Sequence, residues 1–386
     1  MTEQTTGDRA QKKYFQLWIP DIYELKGGIQ VYSYSLLTAL RSLYPDDSFS
    51  VFVKNDSRLD PKLPALPGVE YHFCGNVHPR LRTIYFSARI FISNILKKPD
   101  LVISTHIHFA PLAYILKRIS GIRYWVVVYG IETWGIRRGS LKQAVRNADR
   151  VLSMSHYTRD RLLKELALDP LKAIVLPGTF DAGRFTIRPK PAALLAKYGL
   201  TGDRIIMLTV GRMHKNERYK GYDTILRALP TIRQQIPNIC YLLVGSGDDM
   251  PRIEQNIKEL GVSDCVRLAG YVHHAQISEF FNACDVFVMP SRNEGFGIVY
   301  IEAMACGKPV VAGNKDGSVD PLCHGELGAL VDPDDLDAIT EAIVGIVKKA
   351  YPLPILYQPD ALRQKAIDTF GYEQFKRTLL QHMKEE

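Results

Sequence analysis

Several familiar signposts are missing from this 386-residue chain. No run of 18 or more apolar residues occurs, so no membrane-spanning helix is expected. The start, MTEQTTGDRAQKK, is polar and has no secretory apolar core, so a frayed tail is expected there rather than a signal peptide. The six cysteines form no CxxC pair, which fits free buried thiols in a reducing cytoplasm. LVGSGDDM carries Gly245 and Gly247 after a strand, but Met250 stands where the third glycine of a dinucleotide fingerprint belongs. No G-x-x-x-x-G-K-[ST] exists, because CGKP at 306–309 lacks both the first glycine and the hydroxyl residue. Metal-ligand patterns are sparse. His106-x-His108 and His273-His274 have no carboxylate or thiol at ligand spacing. Asp332-Pro-Asp334 closes a strand and opens a helix, where capping and the helix dipole account for aspartates. No solenoid period or low-complexity tract is visible.

What is present is ordinary in amount and uneven in place. Apolar content is 46% and charged content 23%, as in globular proteins generally. Net charge is +8, with cations gathered in Arg80, Arg82, Arg89, Lys97 and Lys98 and again in Arg137, Arg138, Lys142 and Arg146. Such a surface attracts anionic lipid, nucleic acid or phosphorylated substrates, and composition does not choose among them. Short apolar runs such as YFQLWIP, DLVIST, YWVVVYG, RIIMLTVG, CYLLVGSG and DVFVMPS alternate with helical patterns. That alternation predicts an α/β chain with parallel sheets covered by helices on both faces. The stretch TFDAGRFTIRPKPAALLAKYG, about residues 179–199, breaks the alternation with Gly183, Pro189 and Pro191 and reads as an inter-domain linker. The expected division is 1–183 and 184–368, with 369–386 as a C-terminal helix.

Two loops carry chemistry. RIIMLTVG ends at Gly211, and Arg212 and Lys220 follow in VGRMHKNERYKGYD. Ligands of open α/β sheets bind at the carboxyl ends of strands, so these cations stand where an anion would sit. Two cations can neutralise a diphosphate without a metal. The alternative is a solvated basic loop, since Lys215 and Arg218 are there too. The second loop is SRNEGFGIVYIEAMACGKPVVAG, with Glu294 before a Gly-Phe-Gly turn and Glu302 inside an apolar helix about 7 Å past Gly297. A carboxylate among Ile298, Val299, Ile301 and Met304 is costly unless it meets donors. Sugar hydroxyls are such donors, and so is an arginine in an internal salt bridge.

EGFGIVYIEAMACGKPVVA resembles the Glu-x7-Glu signature of the retaining glycosyltransferases of family 4, and the resemblance extends over nearly the whole chain. VGRMHKNERYKGYDTILRAL is similar to that family's phosphate-binding segment, LKGGIQVYSYSLLTAL to its N-terminal glycine loop, and HIHFAPLA and VYGIETW to its acceptor-side segments. The resemblance implies a GT-B fold of two Rossmann-like doubly wound domains facing across a cleft, with the last helix packing back on the N-terminal domain. It implies a nucleotide-sugar donor such as a UDP-, GDP- or ADP-hexose, a sugar or lipid-linked acceptor, no further cofactor, no metal and no nucleic acid. By position, Arg212 and Lys220 match the diphosphate-binding pair and Glu294 the glutamate facing the transferred sugar. Gly295, Phe296, Gly297, Ile298 and Val299 form the turn beside it, and Glu302 matches the ribose-binding glutamate. Gly27, Gly28 and Gly211 match backbone that approaches the diphosphate, and Val272 lies beside the base. His106 fits the family histidine before Ala110-Pro111, with His108 as its rival. Tyr129-Gly130 stands where the family has His-Gly.

The implied reaction moves a hexose with retention. Arg212 and Lys220 assist departure of the nucleoside diphosphate, and backbone near His106 stabilises the oxocarbenium charge. A nucleotide-sugar epimerase of the same fold and an inactive nucleotide-sugar-binding protein are the alternatives. The sequence shows no acid/base motif of the kind an epimerase needs, and the intact cations and glutamates argue against the inactive protein. PRLRTIYFSARIFISNILKK (79–98) mixes cations with apolar residues at helical spacing. It reads either as an interfacial helix for an anionic, cytoplasmic-side membrane or as a helix packed on the N-terminal sheet.

Overall fold

The computed structural model describes residues 12–22, 27–59 and 65–385. The polar start through residue 11 and Leu25-Lys26 of the glycine loop lie outside the described residues. The strands are β1 (Tyr14–Ile19), β2 (Ser48–Val53), β3 (Val69–Phe73), β4 (Leu101–Ser104), β5 (Tyr124–Val128), β6 (Arg150–Ser153), β7 (Ala173–Val175), β8 (Ile205–Val210), β9 (Ile239–Val244), β10 (Val266–Gly270), β11 (Val286–Met289), β12 (Val310–Gly313) and β13 (Ala329–Val331). The helices are α1 (Gly28–Leu43), α2 (Pro79–Leu96), α3 (Ala110–Ser120), α4 (Gly139–Arg146), α5 (His156–Leu166), α6 (Ala192–Lys197), α7 (Tyr222–Gln235), α8 (Met250–Glu259), α9 (Ile277–Ala283), α10 (Ile298–Ala305), α11 (Leu336–Val347), α12 (Pro359–Phe370) and α13 (Tyr372–Lys384).

A seven-stranded sheet runs in the order β3-β2-β1-β4-β5-β6-β7, and a six-stranded sheet in the order β10-β9-β8-β11-β12-β13. Their ladders are parallel, with β1 between β2 and β4 and β8 between β9 and β11. β1, β4, β5 and β9 are buried at every position, which is why they read as unbroken apolar runs. Each sheet therefore has a point where strand order reverses, between β1 and β4 in one and between β8 and β11 in the other. Crevices at such points are where open α/β sheets bind ligands.

The chain divides into two compact units. One takes Met1–Val128, Gly135–Leu152 and Leu168–Ile174, and the other takes Tyr129–Trp134, Ser153–Ala167 and Val175–Glu386. In the second unit, α7 and α11 supply a core around Ile225, Leu229, Ile339 and Ile343, packed with Tyr241 and Val288. One helix escaped the sequence reading. α12 lies just before the last helix, and it packs on α10, the helix that bears Glu302.

One expectation is corrected here. Asp332 and Asp334 do not cap the following helix. Asp332 pairs with Lys315 at 2.7 Å and Asp334 with Arg292, while Asp335 accepts from the amides of Asp337 and Ala338. The cations of 79–98 do not all face solvent. Arg82 donates to the carbonyls of Val77 and Gly75, and Arg89 to the carbonyl of Phe73, because the end of β3 and the β3–α2 turn leave carbonyls without ladder partners, and Arg89 also meets His72 Nδ1 at 3.0 Å.

Candidate active site

The strand order of the second unit brings the two sequence loops together. β8 and β11 are neighbours, with Leu208 opposite Phe287, so the loops after Val210 and after Met289 emerge side by side. Gly211 continues the ladder by donating to the Val244 carbonyl. The chain then interlocks with the loop after β9, where Met213 donates to Ser246 and Asp249 to Met213, both at 3.0 Å. A short 3-10 helix, Lys215–Lys220, follows and ends at Gly221. Gly221 has φ +83°, and a Cβ there would overlap the carbonyl oxygen of Pro290, so only glycine lets this turn lie against the end of β11. Arg292 donates to the Tyr219 carbonyl at 2.9 Å and ties the loops again.

These backbone constraints place four charged side chains in one cluster. Lys220 Nζ lies 3.2 Å from Glu294 Oε2 and 3.7 Å from Glu217 Oε2. Arg212 Nη2 lies 2.7 Å from Glu217 Oε1, with the arginine side chain 60% exposed. Burial of Lys220 works against its charge, but Glu294 and Glu217 more than offset it and hold the ammonium above its ordinary range. The solvated-loop alternative fails for Arg218, which gives Asp249 two hydrogen bonds at 2.9 and 2.6 Å within a network that includes Arg252 and Asp223. Arg212 is the more exposed of the two loop arginines.

Glu294 is held from behind. Its amide donates to Asp316 Oδ2 at 2.6 Å, and its carbonyl accepts from Gly317 at 2.9 Å. Asp316 is buried and bonded to Ser291 Oγ at 2.7 Å, and Ser291, Ser318 and Tyr300 share their hydroxyls. Burial raises the Asp316 carboxyl, while the Glu294 and Ser318 amides pull it back down. Sequence reading missed this network. Its signal was the Asp-Gly-Ser of KDGSVD, an aspartate that caps its own turn through the Ser318 amide. A Cβ at Gly295 would overlap the Tyr129 carbonyl, so Gly295 allows the Tyr129-Gly130 segment to lie directly on the Glu294 loop. Phe296 turns inward and packs on Phe370 at 5.6 Å between ring centroids.

Gly297 precedes α10 and offers no side chain to its first amides, those of Ile298 and Val299. Glu302, farther along α10, is 5% exposed. Burial pushes its carboxyl up to about 8, opposed by Arg184. Arg184 is the arginine a salt-bridge reading would require, but among the described residues no ion pair joins the two within 4.0 Å, and Arg184 Nε and Nη2 are buried without a hydrogen-bond partner. Burial, then Arg184 and His273, lower the His274 imidazole to about 4. Val272 is half-buried in the loop after β10, beside the exposed Tyr271.

The other site residues belong to the first unit. Gly27 and Gly28 stand at the start of α1, after β1, and His106 follows β4, so they flank that sheet's own reversal point. His106 Nδ1 accepts from the His108 amide at 3.2 Å. Burial, then His108 and Lys54, lower its imidazole to about 4, so it is neutral at pH 7. His108 is exposed.

Two Rossmann-like parallel sheets, with a cation–carboxylate cluster at the reversal point of the second, define the class of nucleotide-binding α/β proteins with a GT-B fold. Residues 192–357 match the family described as Glycosyl transferases group 1, and residues 26–184 match Glycosyltransferase Family 4. The chain belongs to this group 1/family 4 of glycosyltransferases. It is 35% identical over 250 residues to a GDP-mannose-dependent α-(1-6)-phosphatidylinositol monomannoside mannosyltransferase of Mycolicibacterium smegmatis, over 61% of this chain and 64% of that one. It is 33% identical over 215 residues to a D-inositol 3-phosphate glycosyltransferase of Geodermatophilus obscurus, over 53% of this chain and 47% of that one. The matches thus span less than two thirds of the length of these relatives. Among solved structures, the Anabaena protein HepE in complex with UDP superposes with a TM-score of 0.77 at 19% identity, over 97% of this chain and all of that one. Sucrose-phosphate synthase from Thermosynechococcus elongatus does so with 0.79 at 23%, over 97% and 99%. At these identities the likeness shows the fold.

Proposed function

We propose that the chain is a retaining hexosyltransferase that moves a hexose from a nucleotide-diphosphate sugar to an acceptor hydroxyl without a metal. The cluster of Arg212, Lys220, Glu217 and Glu294 carries the reading. A donor diphosphate brings about two negative charges to a place where one cation is half-free and a second is held between carboxylates. The C1–phosphate bond breaks as charge develops on the leaving diphosphate, and Arg212 and Lys220 stabilise that charge. The acceptor oxygen bonds to C1 from the same face, and its proton passes to a phosphate oxygen of the leaving group. Glu294 faces the transferred sugar. The amides of Ile298 and Val299 suit an anion at a helix start, and Glu302 accepts ribose hydroxyls. In the first unit, Gly27 and Gly28 offer backbone that suits a phosphate, and His106 is a neutral hydrogen-bonding group.

The relatives in sequence act on phosphatidylinositol monomannoside and on inositol 3-phosphate, which favours a lipid-linked or phosphorylated polyol acceptor met at the cytoplasmic side of a membrane. GDP-mannose is the first donor to test. Among the described residues no helix is long and apolar enough to cross a membrane. A thermal-shift panel of GDP-, UDP- and ADP-hexoses is expected to show one series raising the melting point, because a ligand of the folded state alone stabilises it. Slow release of that nucleoside diphosphate in the presence of EDTA, with the α-anomer formed from an α-donor, completes the test. No stabilisation by any nucleotide sugar, or strict dependence on a divalent ion, overturns the proposal.

A further inference from the structure

The helix α2 has two apolar faces. Phe86, Ile90 and Asn94 recur every fourth residue and are buried against the first sheet. That accounts for only one stripe. Leu81, Ile84, Tyr85, Ile92, Ile95 and Leu96 are between 41% and 80% exposed. At 100° per residue these six lie within about 120° of one another, centred opposite the buried stripe. Ile115 and Ile119, one turn apart on the neighbouring α3, add 50% and 64% exposed surface. Eight of the twelve exposed large hydrophobic residues of the described chain thus sit on two adjacent helices, so scatter does not account for them.

The charge around them has one sign. No Asp or Glu occurs in α2, α3 or α4, the three helices that pack side by side here. Arg80, Lys98 and Arg118 are exposed and have no carboxylate within ion-pair reach among the described residues. The Lys98 ammonium reaches the C-terminal end of α3, 3.7 Å from where a Cβ on Gly121 would stand. The nearby acids are engaged. Asp149 pairs with Lys117 at 2.6 Å, and Asp100 accepts from the Tyr14 amide at 2.7 Å.

We infer that this face, the outer side of α2 and α3, docks the protein on an anionic lipid leaflet. The exposed stripe runs about 22 Å from Leu81 to Leu96, parallel to a surface rather than across it. Apolar side chains rimmed by cations are what an interfacial helix presents to headgroups and the acyl boundary. A second copy of this chain is the poorer occupant, because a twofold contact would set the same uncompensated cations against each other. The inference deepens the lipid-acceptor reading and rests on it for its purpose. The binding itself needs no donor.

The test is flotation of the full chain with phosphatidylcholine vesicles, with and without 30% phosphatidylglycerol. Expected is binding to anionic vesicles at low salt, at least tenfold weaker in 0.5 M NaCl and on pure phosphatidylcholine. Ile84→Ser with Ile92→Ser should weaken it at least tenfold, as should Arg80→Ser, Lys98→Ser and Arg118→Ser together. Both sets are exposed, so the melting point and its shift by nucleotide sugar should stay as in the parent. No binding at low salt, or undiminished binding by either set, overturns the inference. So does a dimer in sedimentation that Ile84→Ser with Ile92→Ser dissolves. A lost nucleotide-sugar shift in the parent would instead strike the functional proposal and leave vesicle binding standing.

Discussion

The reversal points of the two sheets are built from the same topology and differ sharply in chemistry. In the second unit, the loops after β8 and β11 carry Arg212, Glu217, Lys220 and Glu294 in mutual contact, backed by the buried polar group of Asp316, Ser291, Ser318 and Tyr300. In the first, the loops after β1 and β4 carry Gly27, Gly28 and a His106 kept neutral by burial. In the proposed reaction, a fixed array of charge suits the partner whose charge changes, the departing diphosphate. These groups carry no charge of their own at pH 7 and suit hydrogen bonding to hydroxyls. The parallel sheet supplies the place twice, and side chains decide what each place is for.

The largest effect expected comes from the centre of the charged array. Lys220→Ala should lower kcat about 100-fold or more, since removing one donor to a developing charge costs roughly 3 kcal/mol. It also leaves Glu217 and Glu294 facing each other without their shared cation. Steady-state rates at saturating donor check this, and a loss under tenfold would move the charge stabilisation elsewhere. Next comes the split between the two glutamates. Glu294→Ala should lower turnover at saturating donor, whereas Glu302→Ala should raise KM for the donor with a smaller change in kcat. The same pattern in both variants would erase the distinction between a reacting-sugar contact and a ribose contact.

Much of this array was legible because it is local. Arg212 and Lys220 share one loop, Glu294 begins another, and alternating strands and helices put both loops at the carboxyl ends of strands. What was not legible depends on residues distant in sequence. The aspartate that holds the Glu294 amide is 22 residues away. Arg184, the cation that opposes the rise of Glu302, sits in the stretch read only as a linker. The exposed stripe of α2 has the same periodicity as its buried stripe, and periodicity cannot say which neighbour is present. Arg82 and Arg89 look like free cations until the turn after β3 supplies carbonyls for them.

A third prediction concerns Glu302 as a source of stability that varies with pH. Its folded-state carboxyl stands at about 8, raised by burial and opposed by Arg184, against an ordinary value of 4.5. Between those values the folded state holds a proton that the unfolded state has released, so stability falls as pH rises. Glu302→Gln has no such proton. From pH 5 to pH 7 the parent should lose about 2 kcal/mol relative to the Gln variant. Urea unfolding of both proteins at the two pH values measures it. Parallel pH dependence would mean that Glu302 is ionised in the free protein, with Arg184 closer to it in solution.

The smallest effect expected belongs to the neutral side of the comparison. His106 is lowered to about 4, first by burial and then by His108 and Lys54. An imidazole whose folded value lies below its unfolded 6.5 makes the protein less stable as pH falls from 6.5 toward 4, because the unfolded state takes up the proton first. From pH 6 to 8 its charge does not change, so it should add no inflection to the rate. If His106 lends only a neutral hydrogen bond to the donor or acceptor, His106→Asn should keep that profile flat and reduce kcat by less than about tenfold, near the cost of one neutral hydrogen bond of ~1 kcal/mol. A pH–rate profile of parent and variant decides it. An inflection near 6.5 that vanishes in His106→Asn would show an imidazole that titrates during turnover. The first unit's reversal point would then carry switchable charge, and the contrast with the second would fail.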